Sequence, residues 1–180
     1  MADYDFAKIE KKLSKYLDED RFQHTMGVMY TSACLAMVHG YDIKDAQVSG
    51  LLHDCAKCIP NKKKLKMCSE HNIPVSDFER SHPFLLHSRL GAYIAHEKYG
   101  IDDQEILSAI NYHTTGRREM SLLEKIIYIA DYIEPMRYKA SRLPEIRKLA
   151  FEDLDECMYE ILKDTLELSL IHISEPTRLL

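Results

Sequence analysis

Apolar residues recur at the three-to-four-residue spacing of an α-helix almost from end to end of this chain, and the two-residue alternation of a strand is nearly absent. That pattern predicts an all-α fold, a helical bundle. Only six Gly and six Pro in 180 residues leave few places to interrupt it. Phe6, Ile9, Leu13 and Tyr16–Leu17 mark a first amphipathic helix. A second runs from about Arg21 to His39 and stops at Gly40. Asp42 or Asp45 can cap a third, which carries Ala46, Val48, Leu51 and Leu52 toward His53. Pro60 ends that unit, and Lys62 to Lys64 open a short polar helix that reads as a solvated face. Ser76-x-x-Glu79 and Ser121-x-x-Glu124 are capping boxes. Pro83 suits the first turn of a helix bearing His87, Leu90 and Ile94. Asp102-x-x-Glu105 opens the helix that ends at His113, and Ile126 to Ile133 fill the one that ends before Pro135. A last helix covers about Asp153 to Leu168.

One domain over residues 1–168 accounts for this length. Residues 169–180 depart from the helical pattern before them and resemble translated adapter sequence, so they read as a non-native or disordered tail, His172 included. A net charge of −5 argues against a nucleic-acid partner. No run approaches the roughly 20 apolar residues that span a bilayer, and the first residues lack the apolar segment of a signal peptide. Five cysteines in such a chain suggest free thiols in a reducing cytoplasm. Cys55-x-x-Cys58 has no second pair to complete a zinc site and reads as two separate thiols. Apolar positions on the last helix leave room for a homodimer.

Against this background six residues stand out: His24, His53, Asp54, His87, His113 and Asp131. Imidazole and carboxylate together suit iron, manganese or zinc. A helical bundle builds metal sites by converging such side chains from separate helices. Two ions bridged by a carboxylate can activate a hydroxide and neutralise a phosphoryl group. Convergence would therefore make the protein a metal-dependent hydrolase of phosphate esters or anhydrides, and scatter would leave a non-catalytic helical domain. His53 and Asp54 are adjacent, about 100° apart on a regular helix, so both can serve one centre only at a helix end or bend. Asp131 lies inside the apolar run Ile126 to Ile133, where a carboxylate is costly without a partner. Lys57, Arg117, Arg118, Arg137 and Arg142 are the cations in flanking segments.

The words RFQHTMGV, GLLHDCAK, LLHSRLGAYIA and NYHTTGRREMSLLEKIIYIADYIEPMR, in that order, resemble the HD-domain superfamily of metal-dependent phosphohydrolases. Within it they are similar to the YqeK-type family of symmetrical diadenosine tetraphosphate hydrolases. The resemblance covers Tyr16 to Ala150. It implies an all-α domain with two metal ions, expected to be iron, and cleavage of a small-molecule nucleotide into two nucleoside diphosphates. Carried over position by position, it implies His24, His53, Asp54, His87, His113 and Asp131 as metal ligands, with Asp54 bridging. It implies Lys57 facing phosphate oxygens, Thr114, Thr115 and Gly116 shaping a loop over the nucleotide, and Arg137 as a further phosphate contact. The rival substrates for the same site are a guanosine polyphosphate, a cyclic dinucleotide or a nucleoside phosphate. The Gly-Tyr-Pro word of the cyclic-di-GMP branch is missing from this chain.

Overall fold

The structure is a computed structural model that describes residues 4–138, 140 and 142–174, with side chains as far as residue 166. Among the described residues it is built from α-helices and one 3₁₀ turn, with no strand. The helices are α1 (Phe6–Leu13), α2 (Glu19–His39), α3 (Ile43–Leu52), α4 (Asn61–Glu70), α5 (Asp77–Ser81), α6 (Leu86–Tyr99), α7 (Gln104–Tyr112), α8 (Leu122–Ile133), α9 (Leu143–Ala150) and α10 (Leu154–Ser174). The 3₁₀ turn Pro83–Leu85 leads into α6. No helix is long and apolar enough to cross a membrane among the described residues.

Local signals account for most helix ends. Asp18, Asp42 and Asp103 accept hydrogen bonds from the first-turn backbone of α2, α3 and α7, and Gly40 closes α2 at φ +74°. Both capping boxes form, at Ser76 with Glu79 and at Ser121 with Glu124. Asp42 is thus the cap of α3, and Asp103 rather than Asp102 caps α7.

Three expectations change, and one helix is added. The first helix stops at Leu13, and Leu17 reaches the core from the turn beyond it. Helix α9 is additional to the helices expected; Pro144 stands at its start, and Leu143, Ile146 and Ala150 are its buried face. Helix α10 continues past Leu168 to Ser174, and residues 175–180 lie outside the described residues. Lys64 is not part of a solvated face but is 3 % exposed, with its ammonium 3.5 Å from Asn61 Oδ1.

Helices α2, α3, α7 and α8 pack on one another in the centre. Their contact surface is fully buried Val28, Leu35, Leu51, Leu52, Ile106, Ile110, Ile126 and Ile127. Gly50 allows α3 to lie against α2: a Cβ there would stand 2.9 Å from Ser32 Oγ and 3.0 Å from Met29 Cα. Helix α6 covers α7, and α9 and α10 pack on α8. Arg142 ties the start of α9 to α10 through Glu160 at 2.7 Å and Asp164 at 2.8 Å. Arg147 of α9 donates to the carbonyls of Ile133, Glu134 and Arg137 and so holds the chain where it leaves α8.

The five cysteines are unpaired. Burial pushes the Cys55 and Cys157 thiols up to about 12, so neither forms the reactive thiolate at neutral pH. Ellman titration of the folded protein is expected to label Cys34 and Cys58, which are exposed, and to reach Cys55, Cys68 and Cys157 only after denaturation. Rapid labelling of all five without denaturant would contradict this packing.

Candidate metal centre

Helix ends and turns deliver the six residues to one place. Helix α3 ends at Leu52, so His53 and Asp54 sit in the turn that follows, freed from helical divergence. His24 lies in the second turn of α2 and His87 in the first turn of α6. His113 caps the C-terminus of α7. Asp131 lies near the end of α8, on one helix face with Tyr128 three positions earlier.

Asp54 is the hub, at 1 % exposure. Its Oδ1 lies 3.2 Å from His87 Nε2 and 3.5 Å from His113 Nε2. Its Oδ2 lies 3.5 Å from His53 Nε2 and 3.9 Å from His24 Nε2. His24 Nε2 is 3.1 Å from Asp131 Oδ1. Two overlapping sets of potential ligand atoms result, His24–His53–Asp131 and His53–Asp54–His113. His87 adjoins the second set, its Nε2 3.1 Å from His113 Nε2.

The backbone fixes which nitrogen faces inward. His53, His87 and His113 each donate Nδ1–H to the carbonyl three residues earlier, of Gly50 at 2.6 Å, Phe84 at 2.6 Å and Ile110 at 2.7 Å. His24 donates Nδ1–H to Glu134 Oε1 at 3.0 Å. All four rings therefore present Nε2 to the centre, the tautomer a metal ligand needs. Glu134 is 1 % exposed, and its Oε2 accepts the backbone N–H of Met136 at 2.6 Å.

Electrostatics favour ionised carboxylates at the centre and a neutral His87 beside them. Burial holds His87 below its ordinary value, with His113 acting the same way against the pull of Asp54. Burial alone would raise Asp54, but His53, His113 and His87 outweigh it and hold the carboxyl well below the usual range. Burial likewise opposes ionisation of Asp131, and His24 and His53 override it. The inner atoms remain short of partners: His24 Nε2, His53 Nε2 and Asp54 Oδ1 are buried without a hydrogen bond of proper geometry. Groups of this kind are costly to bury unless something else satisfies them. A divalent cation does so, and the donor set of imidazole and carboxylate fits one.

A cavity of about 960 Å³ opens above the cluster. His24, His113 and Asp131 reach it, with Arg21, Lys57, Thr114, Arg137 and the rings of Tyr128, Tyr132 and Tyr138 on its walls. Lys57 Nζ lies 3.1 Å from His87 Nε2 and 3.7 Å from Asp54 Oδ1. Thr114 Oγ1 lies 3.1 Å from both His87 Nε2 and His113 Nε2. Arg137 donates to Asp131 through Nη2 at 2.6 Å and to its carbonyl through Nε at 3.0 Å.

Not every sequence candidate reaches this cavity. Thr115 lines a separate hollow with Arg89 and Tyr112, and Gly116 lines neither, although its φ of +63° makes the turn that follows His113. Arg117 is held by both oxygens of buried Glu124 at 2.9 and 3.0 Å, and Arg142 by α10, so neither faces the centre. Two residues of the site escape a search for ligands. Arg21 donates Nη1–H to Asp54 Oδ2 at 2.8 Å, and Glu134 orients His24. Each stands three positions from a ligand candidate on the same helix or at its end, and that spacing is the one signal available.

Comparison with known proteins agrees with the geometry. The HD domain family model matches residues 21–136. Bis(5'-nucleosyl)-tetraphosphatase, symmetrical, of Bacillus subtilis is 40 % identical over 154 residues, covering 86 % of this chain and 82 % of its own. The protein of the same name from Staphylococcus aureus is 37 % identical over 158 residues, covering 86 % and 80 %. A crystal structure from Clostridium acetobutylicum, of a predicted HD superfamily hydrolase involved in NAD metabolism, is 39 % identical with a TM-score of 0.90, covering 99 % of this chain and 93 % of that one. The HD domain implies a divalent metal, and the convergence of six His and Asp side chains is where this chain can bind it. The chain belongs to the HD-domain family and, within it, to the YqeK-type group that includes these symmetrical bis(5'-nucleosyl)-tetraphosphatases.

Proposed function

We propose that the protein is a metal-dependent phosphohydrolase that cleaves diadenosine tetraphosphate at its central bridging oxygen to give two ADP. The observation that carries this reading is the pair His87 and His113. Both commit Nδ1–H to a carbonyl, so two Nε2 lone pairs lie 3.1 Å apart beside a buried carboxylate. Lone pairs that close repel unless a cation stands with them. Here Lys57 supplies one positive charge, and the orphaned atoms of His24, His53 and Asp54 call for more.

On this reading His24, His53, Asp54, His87, His113 and Asp131 hold two ions, with Asp54 between them. Iron is the first choice, and manganese and zinc suit the same donors. Such ions supply, when bound, an acidified water and charge neutralisation for phosphoryl oxygens. The chain's own groups do the positioning. The carbonyls of Gly50, Phe84 and Ile110 and the carboxylate of Glu134 keep four rings turned inward. Lys57, Thr114 and Arg137 bring donors to the cavity wall, where they meet phosphate oxygens. Tyr128 and Tyr132 offer apolar ring surface for a nucleobase. Thr115 and Gly116 serve this site through the turn that presents Thr114, not by contact.

The test is product identity. Metal-loaded protein, carrying about two ions per chain by elemental analysis, is given diadenosine tetraphosphate and the products are separated by chromatography. ADP as the sole nucleotide product is expected. ATP with AMP would overturn central cleavage. Faster turnover of a guanosine polyphosphate or a cyclic dinucleotide would move the same site to another substrate.

A further inference from the structure

Asp54 holds a cation on each of its oxygens. Arg21 Nη1 donates to Oδ2 at 2.8 Å, and Lys57 Nζ lies 3.7 Å from Oδ1. The two stand toward different halves of the cluster. Lys57 adjoins His87 Nε2 at 3.1 Å, and Oδ2, the oxygen that Arg21 grips, is the one facing His24 and His53. Both side chains line the cavity, and both keep access to it, at 28 % and 36 % side-chain exposure against 2 % for Asp54. A guanidinium has five N–H donors in a planar fork that matches phosphate oxygens, and the contact with Asp54 engages one of its terminal nitrogens.

Arg21 is anchored from its own helix. Its backbone N–H donates to Asp18, the cap of α2, at 2.8 Å. It sits three positions before His24 on the same face. Of the other arginines, Arg137 shares the cavity but is paired with Asp131, away from Asp54, and Arg117, Arg142 and Arg147 are committed to Glu124, to α10 and to backbone carbonyls.

We propose that Arg21 binds the polyphosphate of the substrate opposite Lys57, so that one cation grips each half of the tetraphosphate about its central bridging oxygen. The proposal rests on the substrate reading above. A dinucleoside tetraphosphate has two equivalent halves, and central cleavage requires that the middle oxygen stay over the centre. Water adds to one inner phosphorus, the bond to the central oxygen breaks, and the departing ADP keeps that oxygen. Two cations set to either side of Asp54 fix this register. With one removed, the chain of phosphates can slide by one.

The experiment compares metal-loaded wild type with Arg21→Ala and Arg21→Lys. Three quantities are read: metal content, the product ratio from diadenosine tetraphosphate, and the affinity for inorganic tripolyphosphate by calorimetry. Arg21→Ala is expected to keep its metal, to raise KM by about tenfold or more with a smaller change in kcat, in keeping with a lost charge-assisted contact, and to release ATP and AMP beside ADP. Tripolyphosphate binding is expected to weaken by a similar factor. Arg21→Lys restores part of the affinity but less of the register, because the fork is gone. Loss of metal in step with activity in both variants would overturn the proposal and leave Arg21 a prop for Asp54. So would unchanged tripolyphosphate affinity with ADP as the sole product. A wild type that binds tripolyphosphate through Arg21 yet leaves diadenosine tetraphosphate intact would sink the substrate reading and spare the phosphate role.

Discussion

Replacing Asp54 by Asn is expected to abolish hydrolysis, lowering kcat/KM by about 10³-fold or more, and to reduce bound metal from about two ions to less than one. The size of the effect follows from position. Asp54 lies within 4 Å of His24, His53, His87 and His113 alike. An amide keeps the shape but carries no charge to hold two cations and has one acceptor oxygen where the carboxylate has two. The fold is expected to survive. Arg21 and Lys57 lose their shared partner, but each is a quarter to a third exposed and can turn to water. Chelation of wild type should give the same loss, reversed by adding iron or manganese, while Asp54→Asn stays inactive after the same addition. Full activity in Asp54→Asn with two ions retained would remove Asp54 from the centre.

The caps and apolar spacings of α2, α3, α6 and α8 are local signals, so those helices follow from the chain directly. Helix α9 is less conspicuous: its eight residues place Leu143, Ile146 and Ala150 on one face, but it starts without a side-chain cap and is held by packing against α10 and by Arg147. The six candidate ligands could be named in advance because metal chemistry selects residue types, and an ionisable group such as Asp131 in an apolar run is conspicuous. Arg21, Glu134 and buried Lys64 could not. Arginine, glutamate and lysine are ordinary on helix surfaces, and only the way α2, α8 and the turn after α3 meet turns the first two inward. Thr115 shows the converse: it neighbours Thr114 in sequence, yet the turn sends it to the other side.

Gly27 carries the second large effect. An alanine at an ordinary interior helix position is about 1 kcal/mol more stable than glycine, so Gly27→Ala would normally strengthen α2. Here a Cβ would stand 2.5 Å from Glu134 Oε2 and 3.2 Å from its Cδ. The carboxylate has nowhere to go without loss. Oε1 holds His24 Nδ1–H at 3.0 Å, Oε2 holds the N–H of Met136 at 2.6 Å, and the residue is 1 % exposed. Gly27→Ala is therefore expected to expel Glu134 from its seat. Crowding of this kind costs about 1–3 kcal/mol, and an orphaned buried donor adds about as much again, so unfolding by denaturant should show a net loss of stability despite the helix gain. Metal affinity should fall by about 10–100-fold, the usual effect of removing the partner that orients a ligand, with kcat at saturating metal less affected. Glu134→Ala should reproduce the loss of affinity. The double variant decides the mechanism: with the carboxylate gone, the added methyl has room, and Gly27→Ala in the Glu134→Ala background should turn neutral or stabilising, a change of sign that two independent defects cannot give. A Gly27→Ala single variant as stable as wild type and with undiminished metal affinity would show that Glu134 is not confined as the geometry requires.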